Sequence, residues 1–272
     1  MDRIGGLYLN GGTLRKYAGS AAELILPPEI KTVGDRAFAG TAVRRVTLPE
    51  GVTGVGMGAF ERCTSLEEIT LPKSLGYIGR EAFRGCTALT SVDIPRNTRR
   101  LNSECFFGCT SLSEVGLHED IMFGSEVFEG CPSIRRLTAG DIAIVTPRLG
   151  REAERFERLV RCLRYKSMPP RAGMLPPQIT AQLAAELYFR FGAADARRYI
   201  AEHTTEVFGI LLECGRDDLL RRLAEERELI GRDIEQLIER SISSQKHEIT
   251  ILLTALRHEA LPAESSADRF EL

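Results

Sequence analysis

The sequence contains no tryptophan and only four histidines, and no apolar stretch approaches the length needed to span a membrane. The N-terminus, Met1-Asp2-Arg3-Ile4-Gly5-Gly6, lacks the apolar run of a secretory signal. No Asn-x-Ser/Thr sequon occurs. Asn97 and Asn102 are each followed directly by a hydroxyl residue, which is the wrong spacing. Neither charge is in surplus. The formal net charge is −2, and dividing the chain near Val145 leaves sixteen Lys/Arg against seventeen Asp/Glu before it and twenty against twenty-one after it. A nucleic-acid partner or an anionic membrane calls for a basic excess that neither part has. The seven cysteines are an odd number without a Cys-x-x-Cys pair, which argues against a disulfide framework. The expectation is a chain in a reducing, cytoplasmic setting, with no membrane span and no nucleic-acid partner.

Motifs for catalysis are also scarce. His118, His203, His247 and His258 are scattered, with no His-Glu-x-x-His and no cysteine at ligand spacing, so surface or helix-end positions are expected for them. No Gly-x-Ser-x-Gly elbow occurs. Gly54-Val55-Gly56-Met57-Gly58-Ala59 fits the dinucleotide fingerprint on paper, but that motif needs a buried strand before it and a long helix after it. No catalytic residue, cofactor or metal is expected, and the chain reads as a non-enzyme.

What the sequence does have is a repeat. Ala37-Phe38 recurs as Ala59-Phe60, Ala82-Phe83, Cys105-Phe106 and Val127-Phe128, so the phenylalanines lie 22, 23, 23 and 22 residues apart. Val33-Gly34, Val55-Gly56, Ile78-Gly79 and Phe123-Gly124 precede them, with Leu101-Asn102 as a polar variant. Arg62-Cys63-Thr64, Gly85-Cys86-Thr87, Gly108-Cys109-Thr110 and Gly130-Cys131-Pro132 follow them, and then come strands ending in proline, such as Ile69-Thr70-Leu71-Pro72. Period-two alternation sends Ile69 and Leu71 inward and Glu68 and Thr70 outward. Pro72 ends the strand because it has no amide hydrogen. Gly79 is expected to supply a backbone conformation that other residues resist. One coil cannot bury its own apolar side, but coils stacked about 4.8 Å apart build a continuous core with the phenylalanines as a spine. Cys63, Cys86, Cys109 and Cys131 then form a column of small buried hydrophobes.

These residues resemble the BspA-like class of leucine-rich repeats, over about residues 13–139. The likeness is clearest from Tyr77-Ile78-Gly79-Arg80-Glu81-Ala82-Phe83 through Gly85-Cys86 to Val92-Asp93-Ile94-Pro95. The resemblance implies a solenoid used for adhesion or protein binding, in a class whose members are often secreted or surface-attached. Two copies depart from the pattern: the first reads Gly40-Thr41-Ala42-Val43 without the cysteine, and the last puts His118 where proline belongs.

From Arg151 the period becomes helical, with Phe156, Leu159, Val160 and Leu163 on one face of a helix over 151–166. This helix stands where a solenoid needs a cap for its open strand edge. Its arginines, Arg151, Arg155, Arg158, Arg161 and Arg164, alternate with glutamates and read as a solvated, ion-paired face. A Pro-rich break follows, and then helices are predicted over 181–191, 194–203, 205–214, 217–228, 233–243 and 248–259. Phe191-Gly192-Ala193-Ala194-Asp195 is echoed by Cys214-Gly215-Arg216-Asp217-Asp218, and more weakly by Ser244-Gln245-Lys246-His247-Glu248. The paired helices have a faint ankyrin-type likeness without the Thr-Pro-Leu-His signature. The predicted fold class is α+β: a leucine-rich-repeat solenoid of short parallel strands, then α-helical hairpins. The predicted organisation is a solenoid over 1–146, a capping helix and linker over 147–177, helical hairpins over 178–262 and a polar tail over 263–272.

For function, the outward strand positions are the expected contact surface for a protein or peptide partner. One column reads Arg45, Glu68, Ser91, Glu114, Arg136, and its neighbour contains Thr47, Thr70, Asp93, Gly116 and Thr138. Neither column holds an aromatic anchor of the kind that dominates tight interfaces, and an ordinary solvated sheet face is the alternative. A surface adhesin, and an enzyme seated in the helical half or between the halves, are the competing functional classes.

Overall fold

The computed structural model describes residues 2–146, 149, 155–170 and 173–260. It divides into two compact units, Met1–Tyr165 and Lys166–Leu272.

The first unit opens with an antiparallel meander of β1 (Asp2–Ile4), β2 (Leu7–Asn10) and β3 (Thr13–Tyr17). Next come β4 (Glu23–Ile25), β5 (Thr32–Val33), β6 (Arg45–Thr47), β7 (Gly54–Val55), β8 (Glu68–Thr70) and β9 (Tyr77–Ile78). They are followed by β10 (Ser91–Asp93), β11 (Arg100–Leu101), β12 (Glu114–Leu117), β13 (Met122–Phe123), β14 (Arg136–Ala139) and β15 (Ile142–Val145). Each coil thus adds one strand to the expected column and a second, two-residue strand to another sheet. The expected column is β4-β6-β8 continued by β10-β12-β14-β15, and the other sheet is β1-β2-β3-β5-β7-β9-β11-β13. Strands of successive coils pair in parallel, and the register carries Arg45 onto Glu68 and Ser91 onto Glu114 and so to Arg136.

The core is a stack of rings. Phe38, Phe60, Phe83, Phe106 and Phe128 stack face to face at centroid spacings of 4.7, 5.2, 5.0 and 5.5 Å. Tyr17 continues the spine at 5.2 Å from Phe38, because its amide donates to the Ala37 carbonyl as Phe38 donates to Ala59. It is the aromatic of a further N-terminal copy, hidden in the sequence because that copy lacks the Ala-Phe pair. Beside the spine, each thiol of the cysteine column donates to the carbonyl oxygen of the phenylalanine one coil back. Cys63 bonds Phe38, Cys86 bonds Phe60, Cys109 bonds Phe83 and Cys131 bonds Phe106, at 2.9, 3.1, 3.2 and 3.1 Å.

Within the coils three expectations need correction. Gly79 does not adopt a left-handed conformation. It is required by close approach, since a Cβ there would lie 2.6 Å from the Gly56 carbonyl carbon of the preceding coil. The left-handed positions are elsewhere, at Arg36, Gly58, Glu81, Glu104 and Glu126, and at Gly40, Arg62, Gly85, Gly108 and Gly130. His118 is buried, not at the surface, and its Nε2 lies 2.9 Å from the Thr98 carbonyl oxygen. It stands in the proline position of its coil and reaches back to the preceding coil, whose buried Thr98 hydroxyl itself donates to the Leu75 carbonyl oxygen at 2.8 Å. Leu71, expected inside, is only half-buried.

At the C-terminal end β15 turns back antiparallel on β14, and α1 (Phe156–Tyr165) packs Phe156 against Phe128 at 5.5 Å. Arg164 departs from the expected solvated stripe: its Nε and Nη2 donate to the Glu119 and Ile121 carbonyl oxygens at 2.8 and 3.0 Å. Arg151 lies outside the described residues, as does the segment 263–272.

The second unit contains α2 (Pro177–Phe191), α3 (Ala194–Glu202), α4 (Thr204–Glu213), α5 (Asp217–Glu225), α6 (Arg227–Ile230), α7 (Ile234–Ser243) and α8 (His247–Ala260). Pro177, placed at sequence level in the break, is the first residue of α2, where its missing amide hydrogen costs nothing. The helix predicted over 217–228 ends at Glu225, and a separate turn of helix, α6, follows. The echoed motifs prove to be one turn used three times. Gly192, Gly215 and Gln245 take the same left-handed conformation between α2 and α3, α4 and α5, and α7 and α8. Beneath the second of these turns Glu186 is almost wholly buried, accepting from Arg216 at 2.5 Å and from Arg190 at 2.6 Å. Arg216 also holds Asp218 at 2.8 Å. This network ties α2 to the turn that begins α5.

Candidate interaction surface

The two outward columns on the strands β4 to β14 lie where alternation places them. Arg45, Glu68, Ser91, Glu114 and Arg136 are exposed, as are Thr70 and Asp93, while Thr47, Gly116 and Thr138 are half-buried. The register brings Ser91, Glu114 and Arg136 side by side, and likewise Asp93, Gly116 and Thr138. The intervening Val46, Ile69, Val92, Val115 and Leu137 are buried and hold the face rigid.

The two ends of this face differ electrostatically. At the N-terminal end Arg45 lies 2.5 Å from Glu23 and 3.7 Å from Glu68, so the column neutralises itself. Arg44 and Glu67 form a further pair at 2.7 Å alongside. Toward the C-terminal end Asp93, Glu114 and Arg136 make no ion pair among the described residues. Gly116 opens a notch between them. A Cβ at that position would fall 1.7 Å from Asp93 Oδ1, so the carboxylate occupies the space that a side chain would take.

The Gly54–Gly58 motif that matched a nucleotide fingerprint is a two-residue strand followed by the coil's turn, and no helix begins there. Among the described residues no group of three or more His, Cys, Asp or Glu is placed to hold a metal ion. Burial pushes the thiols of Cys63, Cys86 and Cys105 above their ordinary range, and Cys109 is raised by its hydrogen bond to Cys131 and by burial. Such thiols are poor nucleophiles. In the second unit a cleft of about 250 Å³ is lined by Asp217, Arg221, Gln245, Lys246, His247, Glu248 and Ile249. Its charged groups engage one another: Lys246 lies 2.7 Å from Asp217, and Arg221 bonds Glu248.

Residues 16–141 match the model of the BspA type leucine rich repeat region, in six copies. This part of the chain, a solenoid in the structure, is similar to the BspA-type leucine-rich repeats. Repeats of this type indicate a role in protein interaction or adhesion. No curated protein matches the chain. Among solved structures, a leucine-rich repeat protein of T. pallidum is 30% identical, with a TM-score of 0.45, over 46% of this chain and 62% of that one. A leucine-rich repeat protein of Eubacterium ventriosum is 29% identical, with a TM-score of 0.45, over 47% of this chain and 36% of that one. A leucine-rich cell surface protein of Faecalibacterium prausnitzii is 22% identical, with a TM-score of 0.45, over 47% of this chain and 35% of that one. The chain thus spans less than two thirds of the length of these proteins. The BspA-type match ends before the helical unit, whose ankyrin-type likeness finds no support among these matches. Among the described residues no helix is long and apolar enough to cross a membrane.

Proposed function

We propose that the chain is a non-enzymatic interaction module, whose repeats bind a protein or peptide partner through the C-terminal part of the strand face. The observation that carries this reading is the contrast along one column. Arg45 is held by Glu23 and Glu68, whereas Glu114 and Arg136 farther along it, and Asp93 beside it, are exposed and make no ion pair among the described residues. A partner that supplies the missing counter-charges gains register and selectivity from them more than raw affinity. The mixed signs at Glu114 and Arg136, paired side by side in register, suit a partner carrying both charges.

The test compares wild type with a chain in which Asp93 and Glu114 are both changed to Lys, in pull-downs from host lysate and culture medium. A partner held by wild type and lost by the folded variant supports the reading, and the fraction it comes from separates an internal partner from an adhesive one. A partner retained by the variant removes the strand face from consideration.

A further inference from the structure

The second sheet of the solenoid has an outer face too, and its composition is different. Where the strand face carries mixed charges and threonines, β9, β11 and β13 place Tyr77, Arg100 and Met122 outward in adjacent strands. Parallel strands lie about 4.8 Å apart, so the three side chains form a ridge about 10 Å long. Tyr77 and Met122 are 54% and 48% exposed, high values for apolar side chains on so small a surface. The floor beside them is mostly backbone: the Tyr77 ring edge rests over Gly54, Gly56, Gly79 and Gly124 carry no side chain in the neighbouring column, and Asn102 in that column is held by the Ile78 carbonyl oxygen, to which its Nδ2 donates at 2.6 Å.

Charge decides what fits there. The Tyr77 hydroxyl and the Arg100 guanidinium have no partner among the described residues. Arg99, in the next column, is matched by Asp120 at 3.5 Å, and Arg80 by Glu104 at 2.8 Å. Asp35, which follows β5, accepts from the Met57 amide at 2.8 Å. That leaves the ridge with an unmatched cation between an aromatic and a thioether. Tyr, Arg and Met are the residue types enriched at the centres of protein interfaces.

We infer that this ridge is a second interaction surface, which takes an acidic segment of a partner protein, its carboxylate on Arg100 and an apolar side chain on Tyr77 or Met122. The surface is separate from the strand face and does not depend on that assignment.

The test is selection of short random peptides displayed on phage against the full chain. The expected result is enrichment of sequences with an acidic residue close to an aromatic or aliphatic one. Synthetic versions of these should lose about tenfold or more in affinity to Arg100→Glu and to Tyr77→Ala, and little to Asp93→Lys. Tyr77→Phe, which keeps the ring, should retain binding, and unchanged thermal melts show that each variant is folded. Four outcomes overturn the inference: no enrichment, enrichment without acidic residues, binding indifferent to Arg100 and Tyr77, or binding lost with Asp93→Lys. Self-association of the full chain in sedimentation that Tyr77→Ala abolishes would also overturn it, assigning the ridge to a second copy.

Discussion

The Cys86 thiol donates to the Phe60 carbonyl oxygen of the preceding coil at 3.1 Å, and the same bond recurs at three other coils. The repeat therefore conserves a donor at this position as well as a small side chain. Cys86→Ala should remove one of the two hydrogen bonds that this carbonyl accepts, the other coming from the Cys63 amide at 3.1 Å, and cost about 0.5–1.5 kcal/mol. Cys86→Ser, whose hydroxyl can reach the same oxygen, should cost less. Burial holds the thiols of Cys63, Cys86 and Cys105 in their protonated form, so labelling of these sites by a thiol reagent should follow unfolding. Rapid labelling of Cys86 in the native chain, read by mass spectrometry, would contradict this account.

The ring spine sets the second expectation. Phe83 lies between Phe60 at 5.2 Å and Phe106 at 5.0 Å, fully buried. Phe83→Ala should cost about 3–5 kcal/mol, whereas Glu68→Ala on the outward face should stay within about 0.5 kcal/mol. Urea melts compare the two directly, and equal losses would refute the register.

The glycines separate two physical demands. Gly79 has no room for a Cβ against the backbone of Gly56, so Gly79→Ala should cost about 1–3 kcal/mol or more by overpacking. Gly85 has room but sits at φ +71, so Gly85→Ala should cost about 1–2 kcal/mol by conformation alone. The converse holds at Glu126, a non-glycine at φ 57 in the column where Gly58 is relaxed. Glu126→Gly should stabilise the chain by up to about 1 kcal/mol, the relief of left-handed strain less glycine's added chain entropy, and a loss there would show that the side chain contributes more than its strain.

These positions also show what the sequence could and could not disclose. The spacing of the Ala-Phe pairs fixed the coil length, and period-two alternation at Glu68, Ile69 and Thr70 fixed the facing of the strand columns, because both are properties of a single coil repeated. The reason for Gly79 and the burial of His118 belong to contacts between coils, and the carbonyl bonds of Arg164 to a contact between α1 and a coil, none of which a single copy encodes. Tyr17 escaped because its copy lacks the pair that marks the others. In the candidate surface the columns were legible but their pairing state was not, since Arg45 reaches Glu23 and Glu68 across strands while Glu114 and Arg136 remain apart. The ridge at Tyr77 was hidden because strands of two residues are too short to display an alternation.

The helical unit offers a pH-dependent test. The Arg216 side-chain hydrogen bond holds the Asp218 carboxyl below its ordinary range. A depressed folded value means that the stabilisation is fully present above the unfolded value of about 3.9 and is lost as pH falls through the folded value. Asp218 is largely exposed, so solvent screening keeps the effect small, about 0.5 kcal/mol. Asp218→Asn should therefore be slightly less stable than wild type at pH 7, and the gap should close as pH drops below about 4. A gap that persists unchanged at pH 2 would assign the difference to packing.

The last expectation concerns how the stack stops. A sheet edge that ends in bare carbonyls invites pairing with another chain. At β13 the edge is met by Arg164 of α1, which binds the carbonyls of Glu119 and Ile121, while Phe156 of the same helix covers the final ring of the spine. The two contacts divide the labour. Phe156→Ala removes buried apolar surface and should cost about 3–5 kcal/mol. Arg164→Ala removes charge-assisted hydrogen bonds and should cost about 1.5–3 kcal/mol. It should also leave a folded chain whose exposed edge self-associates, because the polar groups that Arg164 satisfied remain in place. Light scattering over time, on samples matched for the fraction folded, separates the two variants. Aggregation of Arg164→Ala beyond that of Phe156→Ala at equal stability places the edge protection in the guanidinium, and equal aggregation places it in the helix as a whole.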